Sequence, residues 1–174
     1  MTESIDFTIR VATETDVPVL LRMIGSLAEY EKLSHEVVAT EASLCSALFG
    51  AKPVAEAVLG YAGPEPVAFA VFFPTFSTFL GAPGLYLEDI FVEPPWRGQG
   101  LGKRLLAHLA ETALERGCIR LEWAVLDWNE PAIRFYRSLG AEPREASTIY
   151  RLGAADLRRL SVGVGRTAQT SFLP

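Results

Sequence analysis

Residues Leu85–Gly117 read LYLEDIFVEPPWRGQGLGKRLLAHLAETALERG, and the fold turns on this stretch. LYLEDIFV (85–92) is a short, mostly apolar run with aromatic and β-branched residues, so it reads as a strand. EPPWRGQG (93–100) is a loop. From Leu101 onward, Leu101, Leu105, Leu109 and Ala113 recur at helical spacing, and Gly117 ends the run. The helix entrance is bare and basic: Gly98, Gly100 and Gly102 alternate with other residues, Arg97 precedes them, and Lys103 and Arg104 follow. The first N–H groups of a helix have no partner within it, and its dipole adds positive charge there. Glycines let an anion approach the backbone closely. The combination suits a phosphate or pyrophosphate; the alternative is a Gly-rich turn before an ordinary helix.

Two common nucleotide loops fail here. A P-loop needs Ser or Thr after Gly-Lys, but Arg104 follows Gly102-Lys103, and Arg97 stands at the first glycine position. A Gly-x-Gly-x-x-Gly dinucleotide loop begun at Gly98 meets Lys103 at its sixth position.

Outward from this stretch, the chain organises readily. FTIRVA (7–12) is a first strand, and Thr13 with Asp16 forms a capping box for a helix with Pro18 in its first turn. Leu20, Leu21, Ile24, Leu27 and Ala28 line that helix, and Thr40 caps a second one through Phe49. VAEAVLGYA and PVAFAVFFPTF pair as strands around GPEP, with Pro74 making the second irregular; GAPG (81–84) is a turn. IRLEWAVLD (119–127) is a strand. NEPAIRFYRSLG is a helix capped by Asn129 and Gly140, STIYRL (147–152) a final strand, and AADLRRL a last helical turn. This order predicts an α/β fold of the mixed α+β kind: a central, mixed, mostly antiparallel sheet flanked by helices on both faces. No linker divides the chain, so one domain is expected over residues 1–162, with residues 163–174 a tail that is mobile or docked on a partner.

Composition narrows the function. A chain of 174 residues can bury a core without a disulfide or metal. The net charge of −5 argues against a nucleic-acid binder and is compatible with a cationic small molecule. Cys45 and Cys118 read as free thiols in a reducing compartment, and two histidines make a His-based metal cluster untenable. No signal peptide and no apolar run of ~18 residues is present, so a cytoplasmic protein without membrane attachment is expected.

Three further groups bear chemistry. Glu88 and Asp89 interrupt an apolar strand beside the glycine loop; as neighbours they point to opposite faces, and a carboxylate on a covered face needs a partner or a function. The alternative is one exposed and one salt-bridged acid. Tyr136, on a helix after WNEP, is either core or functional. Glu29, Glu31, Glu36 and Glu41 form either a solvated acidic surface or part of a site.

Taken together, LYLEDIFVEPPWRGQGLGKRLL, WNEPAIRFYRSLGA and IRVATETDVPVLLRMIGSLAEYEKL resemble the GCN5-related N-acetyltransferase (GNAT) superfamily, and within it the diamine acetyltransferases acting on spermidine, spermine or thialysine. The signature Arg/Gln-x-x-Gly-x-Gly/Ala is met by Arg97, Gly100 and Gly102. The resemblance implies acetyl-CoA as donor, with its pyrophosphate on the backbone of Gly98, Gln99, Gly100, Leu101, Gly102 and Lys103. It implies a pantetheine arm along Ile90, Phe91 and Val92, flanked by Asn129, Pro131 and Ala132. It makes Tyr136 the acid that protonates the departing thiolate and Glu88 a carboxylate that attracts the amine and removes or relays its proton. Tyr30, Glu31, Asp89 and Glu122 match substrate-contacting positions, and a homodimer without metal is implied. One departure matters: Ser147 and Thr148 stand where the polyamine enzymes carry an acidic pair, which favours a smaller amine as much as a polyamine. A peptide N-acetyltransferase and a non-catalytic acyl-CoA-binding module are the rival readings.

Overall fold

The computed structural model describes residues 6–144 and 148–163, in two compact units that divide between Leu126 and Asp127. The first unit holds a five-stranded sheet in sequential order: β1 (Phe7–Val11), β2 (Glu56–Ala62), β3 (Glu65–Ser77), β4 (Ala82–Val92) and β5 (Leu121–Trp123). The first three pairings are antiparallel and β4–β5 is parallel, so the sheet is mixed and mostly antiparallel, as expected. The parallel step is forced by the helix between β4 and β5, which carries the chain back to the starting end.

Local chemistry explains the helices. Asp16 accepts from the Thr13 N–H and hydroxyl, both at 2.8 Å, closing the expected capping box. Helix α1 (Val17–Tyr30) follows, with Pro18 in its first turn. Thr40 and Ser43 cap α2 (Glu41–Phe49) reciprocally. Helix α3 (Leu101–Glu115) buries Leu101, Leu105, Leu106, Leu109 and Ala113.

Strand alternation sorts these helices onto two faces. Leu20 and Met23 of α1 and Leu48 of α2 pack with Ala57, Leu59, Phe69 and Phe91. The opposite face carries Phe7, against which Arg104 of α3 is laid, its guanidinium 4.8 Å from the ring centre. Gly60 belongs to this second face, where a Cβ would collide with the Phe7 ring.

Some elements differ from expectation. GAPG is not the turn: the chain reverses over residues 78–81, with Gly81 at φ 59°, and Ala82–Gly84 already belong to β4. Pro74 lies within β3 but beyond Phe72, the last residue that β2 pairs, so β3 is an edge strand there and tolerates it. β5 covers only Leu121–Trp123 of the expected 119–127.

In the second unit, α4 (Glu130–Ser138) starts at Asn129, whose side chain accepts from the Ala132 N–H, and Gly140 past its end has φ 88°. The expected strand at 147–152 is corrected: Thr148–Leu152 form no strand among the described residues, and Ile149 and Tyr150 are more than four-fifths exposed. Alternating apolar residues mark a segment suited to a ladder, but a ladder also needs a free edge in register, which the segment itself cannot supply. AADLRRL grows into a longer helix, α5 (Ala154–Gly163). Ser147 and the tail beyond Gly163 lie outside the described residues.

Candidate active site

Strand β4 is the axis of the site. It pairs with β3 as far as Val92 but with β5 only at Leu85, Tyr86 and Leu87. From Glu88 to Val92 its β5-side edge therefore has no ladder partner among the described residues, and Ile90, Phe91 and Val92 border that open edge. The β3–β4 register also slips here. Val71 faces Asp89 and Phe72 faces Leu87, leaving Glu88 as the extra residue of a β-bulge. Adjacent residues on a regular strand point oppositely, but the bulge changes that rule. Burial first, and then the charge of Glu88, raise the carboxyl pKa of Asp89 and the phenol pKa of Tyr86, so the Glu88 carboxylate acts on both neighbours.

Asp89 sits on the α1 face, in line with Phe91. It is half-buried, and its pKa is pushed up to about 6, first by burial and then by the charges of Glu88 and Glu31. Burial likewise raises Glu31, at the C-terminal end of α1. Glu88 itself is exposed. Three carboxyls thus gather at the bulge, one poised to change protonation near neutrality.

The glycine loop follows. Gly98 and Gly100 adopt φ 75° and 79°, the left-handed region open to glycine, and Gly100 is the N-cap of α3 with no side chain capping it. The amides of Leu101, Gly102 and Lys103 begin the helix without side-chain partners, the arrangement that binds anions. The side chain of Arg97 is turned inward. Its Nε donates to the Val92 carbonyl at 2.8 Å, and its guanidinium lies 4.3 Å from the Tyr30 ring centre and 5.2 Å from that of Phe91. Gln99 donates to the Pro95 carbonyl. The site for an anion is therefore backbone amides with Lys103 beside them, while Arg97 holds loop, strand and α1 together. This open edge and uncapped helix start fit an acyl-CoA: an extended amide-bearing arm beside the strand, and a pyrophosphate on the loop.

Of the sequence-predicted residues, the first unit brings together Tyr30, Glu31, Glu88, Asp89, Ile90, Phe91, Val92 and the Arg97–Lys103 loop along β4. Glu122 lies beside Tyr86 in the β4–β5 register but is engaged, its Oε2 2.7 Å from Arg120 Nε. Asn129, Pro131, Ala132 and Tyr136 belong to the second unit. There Asn129 is buried as the cap of α4, and the half-buried Tyr136 ring packs at 5.4 Å against Phe135. Sequence reasoning missed Tyr86 and Arg120. Period-2 alternation from Glu122 was the available signal for Arg120, since the two share a face.

Among the described residues no helix is long and apolar enough to cross a membrane. The model of the acetyltransferase (GNAT) family matches residues 27–141. The chain is 40% identical over 142 residues to a mouse thialysine N-epsilon-acetyltransferase, covering 77% of this chain and 83% of that protein. It is 34% identical to an Arabidopsis thaliana L-ornithine N5-acetyltransferase, covering 77% and 78% of the two chains. Among solved structures, an integron cassette protein from V. cholerae superposes with a TM-score of 0.75 at 25% identity, covering 90% of this chain and 98% of that one.

Proposed function

The chain belongs to the acetyltransferase (GNAT) family and is an acetyl-CoA-dependent N-acetyltransferase of small amines, and from that premise we propose that its acceptor is a primary amine on a small cationic metabolite of the thialysine, ornithine or short-diamine kind. The observation that carries this reading is the carboxyl group at the β4 bulge. Glu88 is exposed and draws an ammonium in; Asp89, with its pKa raised to about 6, is matched to accept a proton from it. A primary ammonium of pKa ~10.4 is nearly all protonated at pH 7 and must lose that proton before it can attack. Identities of 40% and 34% to enzymes named for thialysine and L-ornithine support the substrate class.

When bound, acetyl-CoA supplies an acetyl thioester at the open edge of β4. The residues of this chain do the rest. Backbone amides from Gly98 to Lys103 hold the pyrophosphate. The Glu88–Val92 edge orients the arm. Asp89, aided by Glu88, takes the ammonium proton at its carboxylate, and Tyr136 donates its hydroxyl proton to the departing sulfur. A phenol of pKa ~10 is protonated at neutral pH, as that role requires. Neither Cys45 nor buried Cys118 lies at the β4 bulge, which supports direct transfer without a covalent enzyme intermediate.

The match at 27–141 runs across the boundary between the two units, supporting a single catalytic domain over residues 1–162. The same reading takes the protein as a metal-free cytoplasmic homodimer. The apolar tip of the β3–β4 hairpin, with Phe76, Phe79 and Leu80 more than three-fifths exposed, supports association, and sedimentation measures it.

The experiment is an amine panel with purified protein and acetyl-CoA, read by thiol release. Turnover with diamines or diamino acids and little with peptides is the expected result. Turnover with peptides alone moves the acceptor to proteins, and acetyl-CoA binding without any turnover makes the chain a binding module.

A further inference from the structure

The α1 face of the sheet continues past Asp89, beyond the end of β2, into a row the acetylation reading does not use. Phe73 and Thr75 of β3, Gly84 and Tyr86 of β4, and Arg120 and Glu122 beside them fall on this face by register and alternation. Phe73 and Tyr86 stack with ring centres 5.2 Å apart. The far end of the row is cationic. Arg120 is half-buried and runs across the bare backbone of Gly84, where a Cβ would stand 3.2 Å from Arg120 Cγ, 3.3 Å from its Nε and 2.8 Å from Thr75 Oγ1.

Two polar atoms converge on this point without hydrogen bonds. Arg120 Nε and Thr75 Oγ1 are both buried and lack a hydrogen-bond partner. The Nε lies 2.7 Å from Glu122 Oε2, so charge holds the guanidinium in place, but its N–H is not directed at that oxygen. A guanidinium has five donors, and no side-chain hydrogen bond from Arg120 occurs among the described residues. Buried polar groups left this way cost stability unless a ligand or water meets them.

This face of the sheet thus has a carboxyl end at Asp89, beside Glu88, and, beyond the Phe73–Tyr86 stack, a donor-rich end at Arg120 and Thr75, where Glu122 offsets the charge of the guanidinium but leaves its donors unused. Asp89 pairs with Val71 and Gly84 with Thr75, so the acidic end and the point that Arg120 crosses are four β3 residues apart, about 13 Å of strand. With a hydrogen bond at each end, that is the scale of an extended diamino acid, whose α end carries a carboxylate beside its own ammonium. A diamine of the same length would set its second ammonium against the guanidinium. We infer that Arg120, with Thr75, is a carboxylate-recognising subsite that selects an amino acid with a side-chain amine over the corresponding diamine. This rests on the acetyltransferase reading above and names the substrate class of the same site.

The test compares L-lysine with 1,5-diaminopentane, and L-ornithine with 1,4-diaminobutane; each pair differs by the carboxylate alone. Thiol release gives kcat/KM for each. The wild-type protein is expected to favour the amino acid in both pairs. Arg120→Gln should lower that preference by roughly 10–100-fold, mostly through KM for the amino acid, as loss of a charge-assisted pair of hydrogen bonds predicts. Arg120→Lys, which keeps the charge without the fork, should recover part of it. Thermal melting of each variant separates loss of folding from loss of recognition, and Thr75→Val, similar in shape and on the neighbouring strand β3, provides an independent reading in the same direction. A wild-type preference for the diamines, or an amino-acid-to-diamine ratio unchanged in Arg120→Gln and Thr75→Val, overturns the subsite while leaving the acetyltransferase reading intact. Absence of turnover with every amine overturns both.

Discussion

Replacing Asp89 by Asn should make the protein more stable and less active at once. The carboxyl is held at a pKa of about 6, against an ordinary 3.8, because burial and the charges of Glu88 and Glu31 disfavour its ionised form. A folded-state pKa above the unfolded one means that the folded protein binds the proton more tightly. The penalty is therefore absent below about pH 4, grows between about 4 and 6, and is complete above. At ~1.36 kcal/mol per pKa unit, the carboxylate costs the folded state at most about 3 kcal/mol at pH 7.5. Asn keeps the shape and removes the charge, so a gain of roughly 1–3 kcal/mol is expected, which for a chain of this size raises Tm by roughly 2–4 °C per kcal/mol. Burial is the largest cause, so removing Glu88 or Glu31 should lower the carboxyl pKa only in part. Activity should fall by roughly 10²–10⁴, the value of a positioned base. The assays are thermal melts at pH 4 and 7.5 and thiol release at pH 7.5. A Tm gain equal at both pH values refutes the electrostatic reasoning. Unchanged activity refutes Asp89 as the proton acceptor.

Three further outcomes follow from other parts of the chain. Tyr136→Phe should lower kcat by roughly 10²–10⁴ with acetyl-CoA affinity barely changed; wild-type kcat in the variant removes Tyr136 from the acid role. Gly100→Ala places a Cβ at φ 79°, costing ~1–2 kcal/mol and disturbing the loop amides; KM for acetyl-CoA should rise roughly tenfold, and an unchanged KM separates the loop from donor binding. Asp16, buried and bridged to both terminal nitrogens of Arg10 at 2.7 Å, is held well below the usual carboxylate range by that guanidinium and the Thr13 donors. Its contribution is present above about pH 4 and is lost as pH falls, so Asp16→Asn should cost ~1–2 kcal/mol at pH 7 and much less at pH 3, read from melts at the two values.

What was legible in the sequence was what short-range chemistry decides. The strand–loop–helix unit from Leu85 to Gly117, the capping box at Thr13, and the Thr40 and Asn129 caps each depend on residues within a few positions of one another, so they read correctly without the rest of the chain. The bare, uncapped entrance to α3 was legible for the same reason: helix-end amides and left-handed glycines are local facts. Where elements depended on distant partners, the sequence was ambiguous. Residues 147–152 carry a strand pattern, but no strand is formed over Thr148–Leu152, and β5 stops at Trp123 although its pattern continues to Asp127.

The site divides along the same line. Its acids and its glycine loop were visible as residue types, but their exposure was not. Sequence made Glu88 the working carboxylate and Asp89 a contact; tertiary structure exposes Glu88 on a bulge and half-buries Asp89, because a one-residue slip against β3 at Val71 reorients both. Arg97 read as part of the cofactor-binding signature, and its side chain lies on Tyr30, 67 positions earlier in the chain, a contact the motif does not announce. Arg120 carried no motif at all; its meaning comes from Gly84 and Thr75, which only strand pairing brings beside it. Sequence by itself determined which chemical groups exist and which helix end is bare. Their exposure, charge environment and opposition across a groove were decided by the sheet, because burial and Coulomb interaction depend on distance in space rather than distance along the chain.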